Sequence, residues 1–307
     1  MNGPRSGTPR EDGKMELGYI GLGAMGGALA RRLMLSHKLR VHDLRPDMVE
    51  EFAKNGAIPT QSGAAMAREC DVVLICVPRS ANVRDAIFSE GGLLEGLEPG
   101  KIVIDQTSGD PDETRQMAAE LAEKGITLID APVSGGPAGA DAGTIAIMAA
   151  GPLDIFEKVK PLFESISPNV FHCGDTGNAH VVKLVNNTIA ASCRLATLEA
   201  VAMGRKYGLP LDIMTDVINK SSGSNNTSKN ALPKMLAGEP TSNFGLALML
   251  KDVSLATQMG AKCGAPMFIA NMVRGMLQTS VYEYDDGVDM DATIWAVEKA
   301  ADTKFVG

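Results

Sequence analysis

Between residue 16 and about residue 174, short apolar runs rich in β-branched residues alternate with longer stretches in which apolar positions return every three or four residues. The short runs fall at 17–20, 39–42, 72–77, 102–105, 126–130, 144–149 and 170–173. Strands separated by helical patterns of roughly ten or more residues predict βαβ units, and hence a doubly wound, mostly parallel sheet covered on both faces. After Gly177 the pattern changes. Residues 180–207 read as one long helix stopped by Gly208-Leu209-Pro210, and Gly, Pro, Ser and Asn break the rest into further helices. The expectation is an α/β domain over 16–177 and an all-helical domain over 178–307. Residues 1–15 are polar and rich in Gly, Pro and Arg, with no apolar segment of signal-peptide type, and read as a loose extension.

Length supports the division, because 307 residues is close to the limit of a single core. No aliphatic run approaches the roughly 18 residues that a membrane span needs, so no membrane association is expected. The 29 Lys and Arg against 37 Asp and Glu give a net charge of −8, with no basic block to follow a phosphate backbone, which argues against nucleic acid as a partner. Five cysteines without a C-x-x-C pair read as reduced core thiols of a cytoplasmic protein.

The first strand runs into Gly21-Leu22-Gly23-Ala24-Met25-Gly26, a G-x-G-x-x-G sequence between strand and helix. In that setting Gly21 makes the tight turn, Gly23 lets backbone approach a pyrophosphate, and Gly26 packs helix on strand, with the helix N-terminus aimed at the anion. Asp43 ends the next strand, where a carboxylate accepts hydrogen bonds from an adenosine ribose and favours NAD over NADP. Arg45, two residues on, can pair with a 2′-phosphate and keeps NADP open. Later strand ends carry Val77-Pro78, Asp105-Gln106-Thr107-Ser108 and Asp130-Ala131-Pro132-Val133-Ser134-Gly135-Gly136. Ligands of open α/β sheets lie beyond these ends. Ser134, Gly135 and Gly136 leave main-chain N–H groups uncrowded and can hold a carboxylate, or they form an ordinary Gly-rich loop.

The long helix is apolar on most sides, so much of it should be buried. Lys183 and Asn187, four apart, share a face, with Asn186 beside them. A buried lysine is uncommon unless paired or functional, and desolvation pulls its pKa toward the range where it exchanges a proton. The alternative is a snorkelling lysine or a structural ion pair.

These motifs, followed by Lys251-Asp252, resemble the β-hydroxyacid dehydrogenases over nearly the whole chain. The resemblance implies a Rossmann domain, a helical domain that joins in a homodimer or homotetramer, and an active site in the cleft between them. It implies that Lys183 is the catalytic acid/base, that Asn187 orients a small carboxylate substrate, and that Ser134, Gly135 and Gly136 hold its carboxylate. It further implies that Lys251 closes over substrate and cofactor, and that Val77, Pro78 and Thr107 join the glycine loop as NAD(P) contacts. No metal is implied. Ala179, His180 and the order Thr107-Ser108-Gly109 depart from the family pattern. His180 either tunes Lys183 or is a surface histidine at a helix start.

The activity implied is interconversion of a short 3-hydroxy acid with its semialdehyde or keto form. An imine reductase on the same fold is the alternative, but such relatives usually replace the lysine with Asp or Tyr. A nucleotide sensor without chemistry would have no use for Lys183 and Asn187. The segment 221–228, dense in Ser and Asn, suggests a hydroxylated substrate or a solvated loop. The acidic tract 282–291 reads as a solvated turn, its spacing unlike a calcium loop.

Overall fold

The computed structural model describes residues 15–285 and 287–306. They form two compact units: the first holds the described residues up to Thr107 together with Pro111–Ala179, the second Ser108–Asp110 and the residues from His180 onward.

In the first unit β1 (Leu17–Ile20), α1 (Ala24–Met34), β2 (Leu39–His42), α2 (Pro46–Lys54), β3 (Ile58–Pro59), α3 (Gly63–Glu69) and β4 (Val72–Ile75) follow in sequence. Then come α4 (Ser80–Phe88), β5 (Ile102–Asp105), α5 (Pro111–Ala122) and β6 (Thr127–Asp130). The six strands form one parallel sheet in the order β3-β2-β1-β4-β5-β6. The order turns back between β1 and β4, so the carboxyl ends of these two strands form the switch point at which such sheets take a ligand. Alternation along each strand fills both faces. Leu17, Tyr19, Val72, Leu74, Ile102 and Ile104 pack on one side, and Ile20, Val73, Ile75 and Val103 on the other. This is the two-sided burial that the apolar runs predict.

A second sheet of three strands, β7 (Val133–Ser134), β8 (Ala146–Ala149) and β9 (Val170–His172), completes the unit with α6 (Gly136–Asp141) and α7 (Leu153–Ile166). Strand β7 is antiparallel to β8, and β9 is parallel to it. The segment 133–134 is therefore paired strand, and the loop begins only at Gly135.

The second unit is helical: α8 (Asn178–Lys206, whose first two residues belong to the first unit), α9 (Leu211–Asn219), a π-helical turn at Thr227–Ala231, α10 (Leu232–Leu236), α11 (Leu246–Cys263), α12 (Phe268–Tyr284) and α13 (Ala292–Ala301). Ala191 and Leu195 of α8 pack with Leu246, Met249 and Val253 of α11 and with Val273 and Leu277 of α12. Further along α8, Leu198, Val201 and Ala202 join Leu211, Leu232 and Phe305. The opposite stripe of α8 is less covered than its apolar sequence predicts, with Val182, Val185 and Ile189 exposed in the single chain. Among the described residues no helix is long and apolar enough to cross a membrane.

Candidate functional site

In the first unit the glycine loop is built around one backbone contact. Gly21 donates to the His42 carbonyl and has φ +92°, and a Cβ there would lie 2.1 Å from the Cys76 carbonyl oxygen. A Cβ on Gly26 would lie 2.0 Å from the Gly21 oxygen, so α1 sits directly against the loop only because both positions are glycine. Gly23 is the N-cap of α1 and offers no side chain to its first N–H groups. A Cβ on Gly23 would meet only Arg45 Nη2, at 3.9 Å. Leu22 is buried, whereas Gly23, Ala24 and Met25 reach the surface. Open space over an uncapped helix start fits a pyrophosphate.

Asp43 borders this loop. Its Oδ2 accepts from Leu22 N at 2.6 Å and its Oδ1 from Arg45 N at 2.8 Å, with Arg45 Nε 3.5 Å away. The carboxylate thus holds the glycine loop and still has lone pairs for a ribose hydroxyl. At the neighbouring strand ends, Val77 N donates to Thr107 Oγ1 at 3.2 Å, and Thr107 N donates to Asp105 Oδ1 at 2.9 Å. Thr107 is buried, so it fixes the Val77 backbone, while Pro78 is exposed. Ser134 is half-buried and leads into the exposed Gly135 and Gly136, both at positive φ. Residues at these strand ends fit an NAD(P) dinucleotide by backbone space, an uncapped helix start and a placed carboxylate.

The turn that leads into α8 is held from below. Gly177 N donates to Asp130 Oδ1 at 2.7 Å, and Arg115 donates to the Thr176 carbonyl at 3.2 Å and to Asn178 Oδ1 at 3.3 Å.

In the second unit Lys183 is 6% exposed and Asn187 5%, one helical turn apart on the inner face of α8. Asn187 Nδ2 donates to Asp252 Oδ2 at 2.6 Å, and Asn186 Nδ2 donates to Asn187 Oδ1 at 3.1 Å. Asp252 is fully buried on α11. Its Oδ1 lies 3.2 Å from Lys251 Nζ, an ion pair whose geometry falls short of a hydrogen bond. Lys251 Nζ also donates to the Ser108 carbonyl. Lys183 Nζ makes no hydrogen bond among the described residues, yet it is not isolated electrically. Burial pulls its pKa down from 10.5 to about 8, Asp252 pulls it up, and Lys251 pulls it down. An amine in this range exists in both protonation states near neutral pH, which an acid/base group requires.

His180, one turn before Lys183, is fully buried, which corrects the reading of a surface histidine. It lies at i, i+3 and i+7 with Lys183 and Asn187, so the face that buries the lysine buries the histidine too. In the segment 221–228 the Asn225 side chain is committed within the protein, while Ser221, Ser222 and Asn226 are exposed. Asn225 Nδ2 donates to Thr197 Oγ1 at 2.9 Å and to the Gly223 carbonyl at 2.8 Å, while its Oδ1 accepts from Thr227 N and Ser228 N. The acidic tract is not a purely solvated turn either, because Asp291 pairs with Arg194 at 3.1 Å.

Arg194 is the polar residue that the sequence reading passed over. It is 7% exposed on α8. Its Nε donates to Thr293 Oγ1 at 2.9 Å, and its Nη2 to Thr241 Oγ1 at 2.9 Å, the Met290 carbonyl at 3.0 Å and Asp291 Oδ1 at 3.1 Å. The signal was available: an arginine on the buried stripe of an apolar helix needs a reason as much as a lysine does.

A parallel sheet with a glycine-loop nucleotide site, joined to a helical unit that carries a buried lysine of lowered pKa, defines an NAD(P)-dependent oxidoreductase. Residues 16–174 match the family described as the NAD binding domain of 6-phosphogluconate dehydrogenase, and residues 177–297 that described as NAD-binding of NADP-dependent 3-hydroxyisobutyrate dehydrogenase. The chain is 34% identical over 279 residues to a probable mitochondrial 3-hydroxyisobutyrate dehydrogenase of Dictyostelium discoideum, covering 88% of this chain and 87% of that protein. It is 35% identical over 257 residues to 2-(hydroxymethyl)glutarate dehydrogenase of Eubacterium barkeri, covering 82% and 85%. A solved 3-hydroxyisobutyrate dehydrogenase of Mycobacterium tuberculosis with L-serine superposes with a TM-score of 0.83 at 27% identity, covering 92% of this chain and 99% of that one. The chain belongs to the β-hydroxyacid dehydrogenase family. It is an NAD(P)-dependent enzyme acting on the CH–OH group of a hydroxy acid.

Proposed function

We propose that this enzyme oxidises the hydroxymethyl group of a 2-substituted 3-hydroxypropanoate to the semialdehyde, and reduces it in the reverse direction, with Lys183 as the acid/base. The compounds named for its relatives, 3-hydroxyisobutyrate, 2-(hydroxymethyl)glutarate and L-serine, share a carboxylate and a CH₂OH group on one carbon and differ in that carbon's third substituent. The common unit is what the proposed site recognises. Ser134 with the Gly135 and Gly136 amides holds the carboxylate, Asn187 orients the hydroxyl, and Lys251 screens the site. Gly21 to Gly26, Asp43, Val77, Pro78 and Thr107 hold the dinucleotide, whose nicotinamide takes up the hydride when bound.

The single observation that carries this reading is the buried Lys183 amine with its pKa lowered to about 8. As the neutral amine it accepts the hydroxyl proton during oxidation, and as the ammonium it returns that proton during reduction. Asp252 supports the ammonium by charge, and Asn187 ties Asp252 to the helix that carries the lysine.

Formation of NADH absorbance over a panel of 3-hydroxypropanoate, 3-hydroxyisobutyrate, L-serine and 2-(hydroxymethyl)glutarate, with both coenzymes, tests the assignment. Lys183→Ala should lower turnover by at least about 10²-fold and leave coenzyme affinity nearly unchanged. Near-wild-type turnover would remove Lys183 from the mechanism. Coenzyme binding without turnover of any hydroxy acid would turn the reading toward a sensor.

The working state in this proposal is a homodimer or homotetramer in the cytoplasm. Exposed Val182, Val185 and Ile189 on α8, with Phe268, Ile269 and Met272 on α12, offer apolar area for a second copy, and the five free cysteines suit a reducing compartment. Light scattering on the purified protein reads the oligomeric state, and a monomer at micromolar concentration would refute it.

A further inference from the structure

We infer that Arg194 is a positioning residue for the acid/base group: by clamping the chain segments that start α11 and α13 onto α8, it holds Asp252 in register with Asn187 and Lys183. The inference rests on the proposed role of Lys183. Arg194 lies seven residues beyond Asn187, about 10 Å along the axis and nearly on the same stripe of α8.

Its guanidinium is not spent on one partner. It reaches the segment before α11 through Thr241, the segment before α13 through the Met290 carbonyl and Asp291, and α13 itself through Thr293. The two segments are also tied to each other. Thr241 N donates to Asp291 Oδ2 at 2.9 Å, and Thr241 Oγ1 donates to Asp291 Oδ1. Leu246 N donates to the Val288 carbonyl at 2.9 Å, and Met290 N to the Phe244 carbonyl at 3.0 Å. Asp289 Oδ1 accepts from Asp291 N at 2.8 Å. The first turn of α11 therefore hangs from a backbone ladder whose far side is bonded to Arg194.

Lys251 and Asp252 stand one to two turns into α11. A helix is stiff over so short a distance, so an axial shift at Leu246 is delivered to Asp252 nearly undiminished. The Asn187–Asp252 bond is 2.6 Å and tolerates little sliding. The charged groups acting on Lys183 are Asp252 and Lys251 from α11, and the buried His180 is the titratable side chain one turn back on its own helix. Asp291 and Asp289 are the charges that act on Arg194. A fork with several donors, rather than a charge alone, is what this clamp uses, and lysine supplies no such fork.

Arg194→Met should remove the clamp while keeping a long apolar stem. The measurements are kcat, KM for hydroxy acid and coenzyme, and the titration of the Lys183 amine itself, followed by trace acetylation and mass spectrometry over a pH series on the full-length enzyme. The expected result is a kcat at least about tenfold lower with coenzyme KM unchanged. The Lys183 titration should move down from about 8, because an Asp252 out of register no longer supports the ammonium by charge.

Thr241→Val and Asp291→Asn attack the same clamp from the other side and should shift the titration the same way, which keeps the test open if Arg194→Met does not fold. Arg194→Lys should recover only part of kcat. Arg205→Met, which breaks the contacts of Arg205 with the Lys304 and Leu209 carbonyls at the distal end of α8, serves as the control and should leave kcat and the titration as in the wild type. A folded Arg194→Met enzyme with lower thermal stability but unchanged kcat and Lys183 titration would overturn the inference. If Lys183→Ala retains turnover, the underlying reading fails instead, and the two outcomes are separable.

Discussion

The buried amine that makes Lys183 useful should make the folded protein less stable than it need be, and Lys183→Met measures by how much. The amine's pKa falls from 10.5 to about 8 on folding, mainly through desolvation. Each unit corresponds to about 1.4 kcal/mol, so the protonated lysine costs folding about 3 kcal/mol, less whatever Asp252 loses when its cationic neighbour is removed. Below pH 8 both folded and unfolded chains carry the proton and the full cost is present. Between pH 8 and 10.5 the unfolded chain binds more protons than the folded one, so stability rises with pH and the cost disappears. Methionine keeps the length and the apolar stem without the charge. Thermal or urea unfolding at pH 7 should find Lys183→Met more stable than wild type by about 1–3 kcal/mol, with the gain shrinking toward zero by pH 10.5. Activity should be lost in the same variant. A variant that is less stable at pH 7, or a gain that ignores pH, would show that the lysine is paired or solvated and that the argument from burial is wrong.

Three further outcomes follow from the same site. Oxidation should lose kcat/KM about tenfold per pH unit below about 8 while reduction gains, and Asp252→Asn should move that break to lower pH because the anion raising the amine's pKa is gone, a shift read from pH–rate profiles. Gly21→Ala would force a Cβ to 2.1 Å from the Cys76 carbonyl at a φ of +92°; isothermal titration should find NAD binding abolished in any folded fraction. Asp43→Ala removes the acceptor of Leu22 N, so NAD affinity should fall at least about tenfold and selection should drift toward NADP, measured by fluorescence titration with each coenzyme; an unchanged ratio would assign selection to Arg45.

The parallel sheet was legible because buried strands such as Val72–Ile75 are apolar on both faces and stand out against the helical period. Strand β3 was not, since Ile58 and Pro59 are exposed and two residues carry no period. Strand β7 hides in a Gly-rich stretch because its pairing partner, Ala146–Ala149, lies beyond an intervening helix. Lys183 and Asn187 could be read from helical spacing, and the same rule applied three residues earlier would have buried His180. Asp252 was visible only as a neighbour of Lys251; that it bonds Asn187 depends on how α11 meets α8, which no local pattern encodes. In the 221–228 segment composition does not say which polar groups are already bonded: Asn225 is committed within the protein, whereas Ser224 Oγ is buried with no hydrogen-bond partner among the described residues.

The assignment of Ser108–Asp110 to the helical unit has a practical consequence. A gene fragment starting at α8 would encode every helix of that unit and still omit the peptide carbonyl to which Lys251 donates. Because this strip of chain comes from the middle of the nucleotide-binding sequence, no single proteolytic nick or truncation divides the enzyme into two whole parts. Recombining separately expressed halves would need a cut on each side of the strip, or a permuted gene that carries the strip along with the helices.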